Sequence, residues 1–150
     1  MLGVEVEQIE VRLVREGASP PRRTRPGDAG YDLACCEDFE LEPGESARVP
    51  TGFALALPEG IVGLVCPRSG LAARSQVTVV NGPGVVDSNF RGECCVLLIN
   101  LGKERFVARA GDRIAQLVLV TNWTPEIKVV DELPDSPDDR GEGGFGSSGR

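Results

Sequence analysis

The 150 residues contain no histidine. That removes the commonest general base, the usual Ser/His and Cys/His nucleophilic pairings and the commonest zinc ligand. Any catalysis falls to carboxylates or to a metal. Positive charge is in deficit, with 16 Lys and Arg against 23 Asp and Glu and a net charge of -7. A general nucleic-acid-binding surface is excluded, because phosphate backbones are gripped by clustered cations. An anionic ligand would need a local site. The five cysteines (Cys35, Cys36, Cys66, Cys94, Cys95) are odd in number and include two adjacent pairs, with no Cys-x-x-Cys spacing for metal or redox work. They read as buried thiols. No apolar run approaches the roughly 18 residues of a membrane span. The N-terminus lacks the basic, apolar and small-residue succession of a signal peptide. The expectation is a soluble, cytoplasmic protein. Apolar residues at helical spacing are also missing outside 70–76, "GLAARSQ", and no segment repeats.

What is present is a series of short Val-, Leu- and Ile-rich segments: 9–14, 47–57, 61–66, 77–80, 94–101 and 113–120. Breaks such as "RPGDAG", "EPGE", "LPEG", "NGPG" and "RAGD" separate them. Short strands at regular spacing between turn signals predict an all-β sandwich or barrel with at most one short helix. The near-continuous apolar run 94–101 suggests a strand covered on both faces. From Asp131 the composition turns acidic and then glycine-rich. This divides the chain into a β domain over 1–130 and, over 131–150, a linker with a flexible C-terminal arm.

Five stretches place a charged or special residue in or beside a glycine turn, and each taken singly also has a structural explanation. In 27–33, "GDAGYDL", Asp32 sits in a strand-like context; one carboxylate suffices for hydrated magnesium, which keeps several waters, or it is a satisfied structural Asp. In 67–71, "PRSGL", Arg68, the Ser69 hydroxyl and backbone N–H groups could converge on a phosphate, or Ser69 simply caps a helical turn. In 80–93, "VNGPGVVDSNFRGE", a tight hairpin beside Asn81 could read the edge of a flat polar ring, and Asp87 could accept a proton from water. In 111–117, "GDRIAQL", Gln116 needs hydrogen-bond partners inside an apolar strand. In 140–150, "RGEGGFGSSGR", Arg140 offers a two-pronged donor to phosphate, Phe145 can cover a base, and Ser147 and Ser148 add hydroxyls. The linker 131–139 could reach about 30 Å if extended, far enough for a neighbouring subunit.

In this order and at these separations, the five stretches resemble the five motifs of the trimeric dUTP nucleotidohydrolases (dUTPases), from about residue 24 to 149. The resemblance implies a jelly-roll β-fold and a homotrimer whose sites are shared between subunits. It implies hydrolysis of dUTP to dUMP and pyrophosphate with Mg2+, which limits uracil incorporation into DNA and supplies dUMP. By position, Asp32 would steer the hydrated magnesium and Arg68, Ser69 and Gly70 would bind phosphates. Asn81 would bind uracil, Asp87 would be the general base, and Phe90 would lie against the deoxyribose. Gln116 would fix the phosphate end, and Arg140, Phe145, Ser147 and Ser148 would close a lid. The chain departs from the family in Phe90, where Tyr is usual, in Asn89, where Asp or Gly is common, and in Ser148, where Thr is common. Two rival readings are a dCTP deaminase, alone or coupled to dUTP hydrolysis, and a non-catalytic nucleotide-binding trimer. The deaminases share the arginine-serine stretch and lack the glycine-phenylalanine arm.

Overall fold

A computed structural model describes residues 8–149. Residues 1–7, on which the reading of the N-terminus rests, and Arg150 lie outside the described residues. The elements in chain order are β1 (Glu10–Leu13), β2 (Gly30–Ala34), β3 (Phe39–Leu41), β4 (Ser46–Pro50), β5 (Phe53–Ala56), β6 (Ile61–Cys66), α1 (Ser69–Ser75), β7 (Val77–Val79), β8 (Gly84–Val86), β9 (Cys95–Asn100), β10 (Phe106–Ala108) and β11 (Arg113–Thr121).

The strands form a four-stranded sheet, β2-β11-β6-β8, and a three-stranded sheet, β4-β9-β7, with two-stranded pairs β1-β5 and β10-β3. All pairings are antiparallel. Period-2 alternation turns Leu33, Val65, Val86 and Leu117 of one sheet and Val49, Val96 and Leu98 of the other into one buried core. This is the jelly-roll-like, all-β architecture that the sequence predicts, and among the described residues the single short helix lies where "GLAARSQ" placed it.

The segment 47–57, read as one strand, is two. Gly52 has φ of +78°, and a Cβ there would lie 2.5 Å from the Ala18 Cβ, so the chain breaks strand geometry between β4 and β5. Phe53 is 1% exposed immediately after the break and anchors β5 in the core. The buried polar residues are satisfied: Thr51 donates to the Cys94 carbonyl, and Asn100 Nδ2 donates to Leu41 O at 2.9 Å and Glu104 O at 2.8 Å. The Asn100 Oδ1 accepts from Gly102 N at 2.9 Å.

Two further expectations change. The reversal at 80–83 is not a hairpin, because β7 pairs with β9 and β8 with β6; the turn carries the chain from one sheet to the other. The run 94–101 is covered on one face only within the chain, leaving Leu97 38% exposed. All five thiols are free; Cys35, Cys36 and Cys94 are buried, while Cys66 and Cys95 are half-buried. Burial pushes the Cys94 thiol up to about 11, and desolvation moves Cys35 and Cys36 in the same direction.

Candidate active site

The sequence-predicted residues gather in two places on the body. At the first, Gln116 on β11 is in register with Asp32 on β2 and with Cys66 on β6, so the end of β6 that leads into Arg68 and Ser69 stands beside the Asp32 carboxylate. Asp32 Oδ2 accepts from Thr24 Oγ1 at 2.8 Å and Arg113 Nη1 at 3.3 Å, and Asp32 Oδ1 lies 3.6 Å from Arg68 Nε. Gln116 Nε2 donates to Pro67 O at 2.9 Å. Gly30 makes room for that amide: a Cβ would fall 2.2 Å from Gln116 Oε1. The polar Gln116 in an apolar strand thus finds its partner in the backbone.

Arg68 is the extended residue before α1, with φ −92° and ψ 129°, and Ser69 is the first helical residue, so Ser69 is not the cap. No side chain caps α1, and Ser69 is exposed. The Arg74 guanidinium folds back over Gly70, where a Cβ would stand 3.0 Å from Arg74 Nη1. Arg68 and Arg74 therefore border Ser69 and Gly70. Among the described residues no group of three or more Cys, Asp or Glu side chains forms a metal cage. What this cluster offers a cation is one carboxylate set among guanidinium groups.

The second place is a cavity of about 280 Å³ whose lining includes Arg48, Asn81, Asp87, Phe90 and Cys95. Asn81 lies in the inter-sheet turn, its amide against Gly84, where a Cβ would approach Asn81 Nδ2 to 3.2 Å. Asp87 follows directly on β8 and is exposed. Among the described residues no cation forms an ion pair with it. The Phe90 ring is 43% exposed and lies over Gly92, where a Cβ would sit 2.7 Å from its Cζ. Pro67 connects the two places, since it accepts from Gln116 and packs 3.7 Å from the Cβ position of Gly82.

The arm joins neither place. Its hydrogen bonds are local, with Arg140 Nε donating to Gly143 O at 3.0 Å and Ser147 N to Gly144 O at 3.2 Å. Phe145 has φ of +51° and is fully exposed. Among the described residues, Arg140, Phe145, Ser147 and Ser148 make no hydrogen bond or ion pair with Asp87 or Arg68. Thr24, Arg48 and Arg113 escaped the sequence reading. Arg113 belongs to "GDRIAQL", yet only cross-strand register shows which carboxylate it meets.

Comparison with known proteins identifies the family. A dUTPase family model matches residues 16–149. The deoxyuridine 5'-triphosphate nucleotidohydrolase of Mycolicibacterium vanbaalenii is 52% identical over 143 residues, 93% of this chain and 92% of that protein. Its counterpart in Rhodococcus erythropolis is 52% identical over 130 residues, 86% and 78% of the two chains. Among solved structures, a mutant dUTPase of Staphylococcus bacteriophage 80alpha with dUpNHpp superposes with a TM-score of 0.89 at 32% identity, covering 97% of this chain and all of that one. A mutant dUTPase from phage phi11 of S. aureus, described for its coordination of a structural Mg(II) ion, superposes at 0.79 and 32% identity, covering 84% and 98%. With the family model spanning nearly the whole chain and relatives at half identity, the chain belongs to the dUTPase family.

Proposed function

We propose that this protein hydrolyses dUTP to dUMP and pyrophosphate by attack of water on the α-phosphorus. The observation that carries the mechanism is the position of Asp87: an exposed carboxylate without an ion-pair partner among the described residues, on the rim of the cavity that also holds Asn81 and Phe90. A carboxylate so placed can accept the proton of an attacking water beside a bound nucleoside. Asn81 hydrogen-bonds uracil, and Phe90 packs on the deoxyribose without the hydroxyl a Tyr would bring. Arg68, Ser69 and Gly70 bind phosphates, and Gln116 holds the phosphate end in place. Such a site works chiefly by positioning and electrostatics.

Magnesium fits the first cluster. Asp32 is a single hard carboxylate beside phosphate-binding cations, and Mg2+ commonly takes one or two carboxylates, keeps water and draws its other ligands from phosphate. Asp32 would hold it through water, and the bound ion would neutralise charge on the departing pyrophosphate.

Residues 1–130 form the catalytic body in this reading, and 131–150 a linker and lid. Arg140 grips phosphate, Phe145 covers the base, and Ser147 and Ser148 close over the triphosphate, excluding water and strengthening each charge interaction. Assembly as a homotrimer with shared sites brings the arm of one chain to the body of another. Two features support it. Among the described residues the arm side chains form no hydrogen bond or ion pair with the clusters of their own chain, and the outer face of the four-stranded sheet carries an apolar row of Val62, Leu64, Val85, Val118 and Val120. Five free thiols suit a reducing, cytoplasmic setting, and among the described residues no helix is long and apolar enough to cross a membrane.

The test is pyrophosphate release from dUTP, dTTP, dCTP and UTP in parallel, with and without Mg2+. Turnover restricted to dUTP is expected, since a base held tightly against the turn at Asn81 would have its 5-methyl crowded in thymine, and cytosine would leave a polar group unpaired on binding. Isotope-labelled solvent oxygen is expected in dUMP; label in pyrophosphate, or release from dCTP at a comparable rate, would overturn the reading.

A further inference from the structure

The registers of β11 and β2 do not run evenly. Arg113 is opposite Ala34, but Ala115 is opposite Leu33 and Gln116 opposite Asp32. Two residues of β11 therefore face one step of β2, and Ile114 is the extra one. This is a β-bulge, a device that re-aims side chains and occurs often beside active sites. Its effect is visible in burial. Ile114 and Ala115 are both buried, at 1% and 0% exposure, although neighbours on a regular strand face opposite ways. Arg113 and Gln116, three residues apart, would lie on opposite faces of a regular strand. The bulge puts both on the Asp32 face.

Arg113 there does two things. Its guanidinium donates to Asp32 Oδ2 at 3.3 Å and to Thr24 Oγ1 at 3.4 Å. Its backbone carbonyl accepts from Arg68 Nη1 at 3.0 Å. Asp32 and Arg68 meanwhile stand 3.6 Å apart, close enough to attract each other and longer than a good charged hydrogen bond.

We propose that Arg113 is a positioning residue that keeps Asp32 and Arg68 from closing on each other. By donating to Oδ2, the oxygen other than the one nearest Arg68 Nε, and by tethering Arg68 through its own carbonyl, it leaves Oδ1 and the outer guanidinium edge open to a hydrated cation and a phosphate oxygen. Without its side chain, Asp32 swings onto Arg68, and the ion pair hides both groups from the ligand. This rests on the dUTPase reading of the site. It also opposes simple electrostatics: removing a cation next to Asp32 should strengthen attraction for a divalent ion, whereas collapse of the pair weakens it.

The experiment is calorimetric binding of α,β-imido-dUTP, with and without Mg2+, to the wild type, Arg113→Gln, Arg113→Lys, Asp32→Asn and the Asp32→Asn/Arg113→Gln double variant, with melting temperatures recorded for each. Arg113→Gln is expected to weaken binding about tenfold in both conditions. Arg113→Lys, which keeps the charge on a shorter side chain, should fall between it and the wild type. In the Asp32→Asn background, where nothing can close on Arg68, the same Arg113→Gln change should cost less than twofold. Such non-additivity in binding, with melting temperatures unchanged across the set, is a coupling that a merely structural role would not produce. Additive losses, or binding by Arg113→Gln within twofold of the wild type, would overturn the proposal. The wild type's dUTP turnover is read separately, so failure of the parent activity is distinguishable from failure of the positioning role.

Discussion

Two aspartates illustrate how differently this chain uses one side chain. Asp32 is enclosed by Thr24, Arg68 and Arg113, while Asp87 stands exposed after β8. The enclosed one suits a fixed electrostatic post, and the exposed one suits a group that must take up and release a proton. Asp87→Asn keeps the shape and removes the basicity, so it should bind α,β-imido-dUTP within a few-fold of the wild type while kcat for pyrophosphate release falls about 10²- to 10⁴-fold. Retained turnover would strip Asp87 of its role. A third polar residue serves only the fold. Asn100 is fully buried and satisfies the backbone of Leu41, Gly102 and Glu104. Asn100→Ala would orphan those groups, and urea unfolding should show a loss on the order of 3 kcal/mol.

At the level of elements, strands inside Val-, Leu- and Ile-rich segments were legible, the three-residue β7 within 77–80 among them, and short strands outside such segments were not. β6, β9 and β11 show themselves as runs of Val, Leu and Ile, whereas β3, β8 and β10 have three residues each, too few for alternation to register. The join between β4 and β5 was hidden because the break at Gly52 is set by Ala18, more than thirty residues earlier. The five candidate stretches were readable because each couples a turn glycine with a charged or polar residue. Thr24 and Arg113 were not, since their link to Asp32 depends on a bulge and a strand register that no local pattern displays. The arm makes its own turns, and its hydrogen bonds given above stay within it. Deleting 140–150 should therefore leave the melting temperature within about 2 °C of the full chain, while dUTP turnover nearly vanishes. An unimpaired truncation would end the lid assignment.

For the molecule as a whole, pH stability should be governed at the alkaline end by its buried thiols. Cys94 loses its proton near 9 when unfolded and at about 11 when folded, and Cys35 and Cys36 are shifted the same way. The folded state therefore binds more protons than the unfolded one in that interval. Their contribution is fully present below pH 9 and is lost as pH rises toward 11. Denaturant midpoints measured from pH 8 to 11 should fall across that window, and more gently in Cys94→Ala; an identical slope would remove Cys94 from the cause. The bulge at Ile114 has a reach of the same breadth. One surplus residue seats Ile114 in the interior and at the same time aims Gln116 outward, so solidity and chemistry draw on a single count of amino acids. Between Gly111 and Leu117 the chain can change its letters far more readily than its length, for a one-residue insertion or deletion there would unseat the interior and misdirect the site in the same stroke.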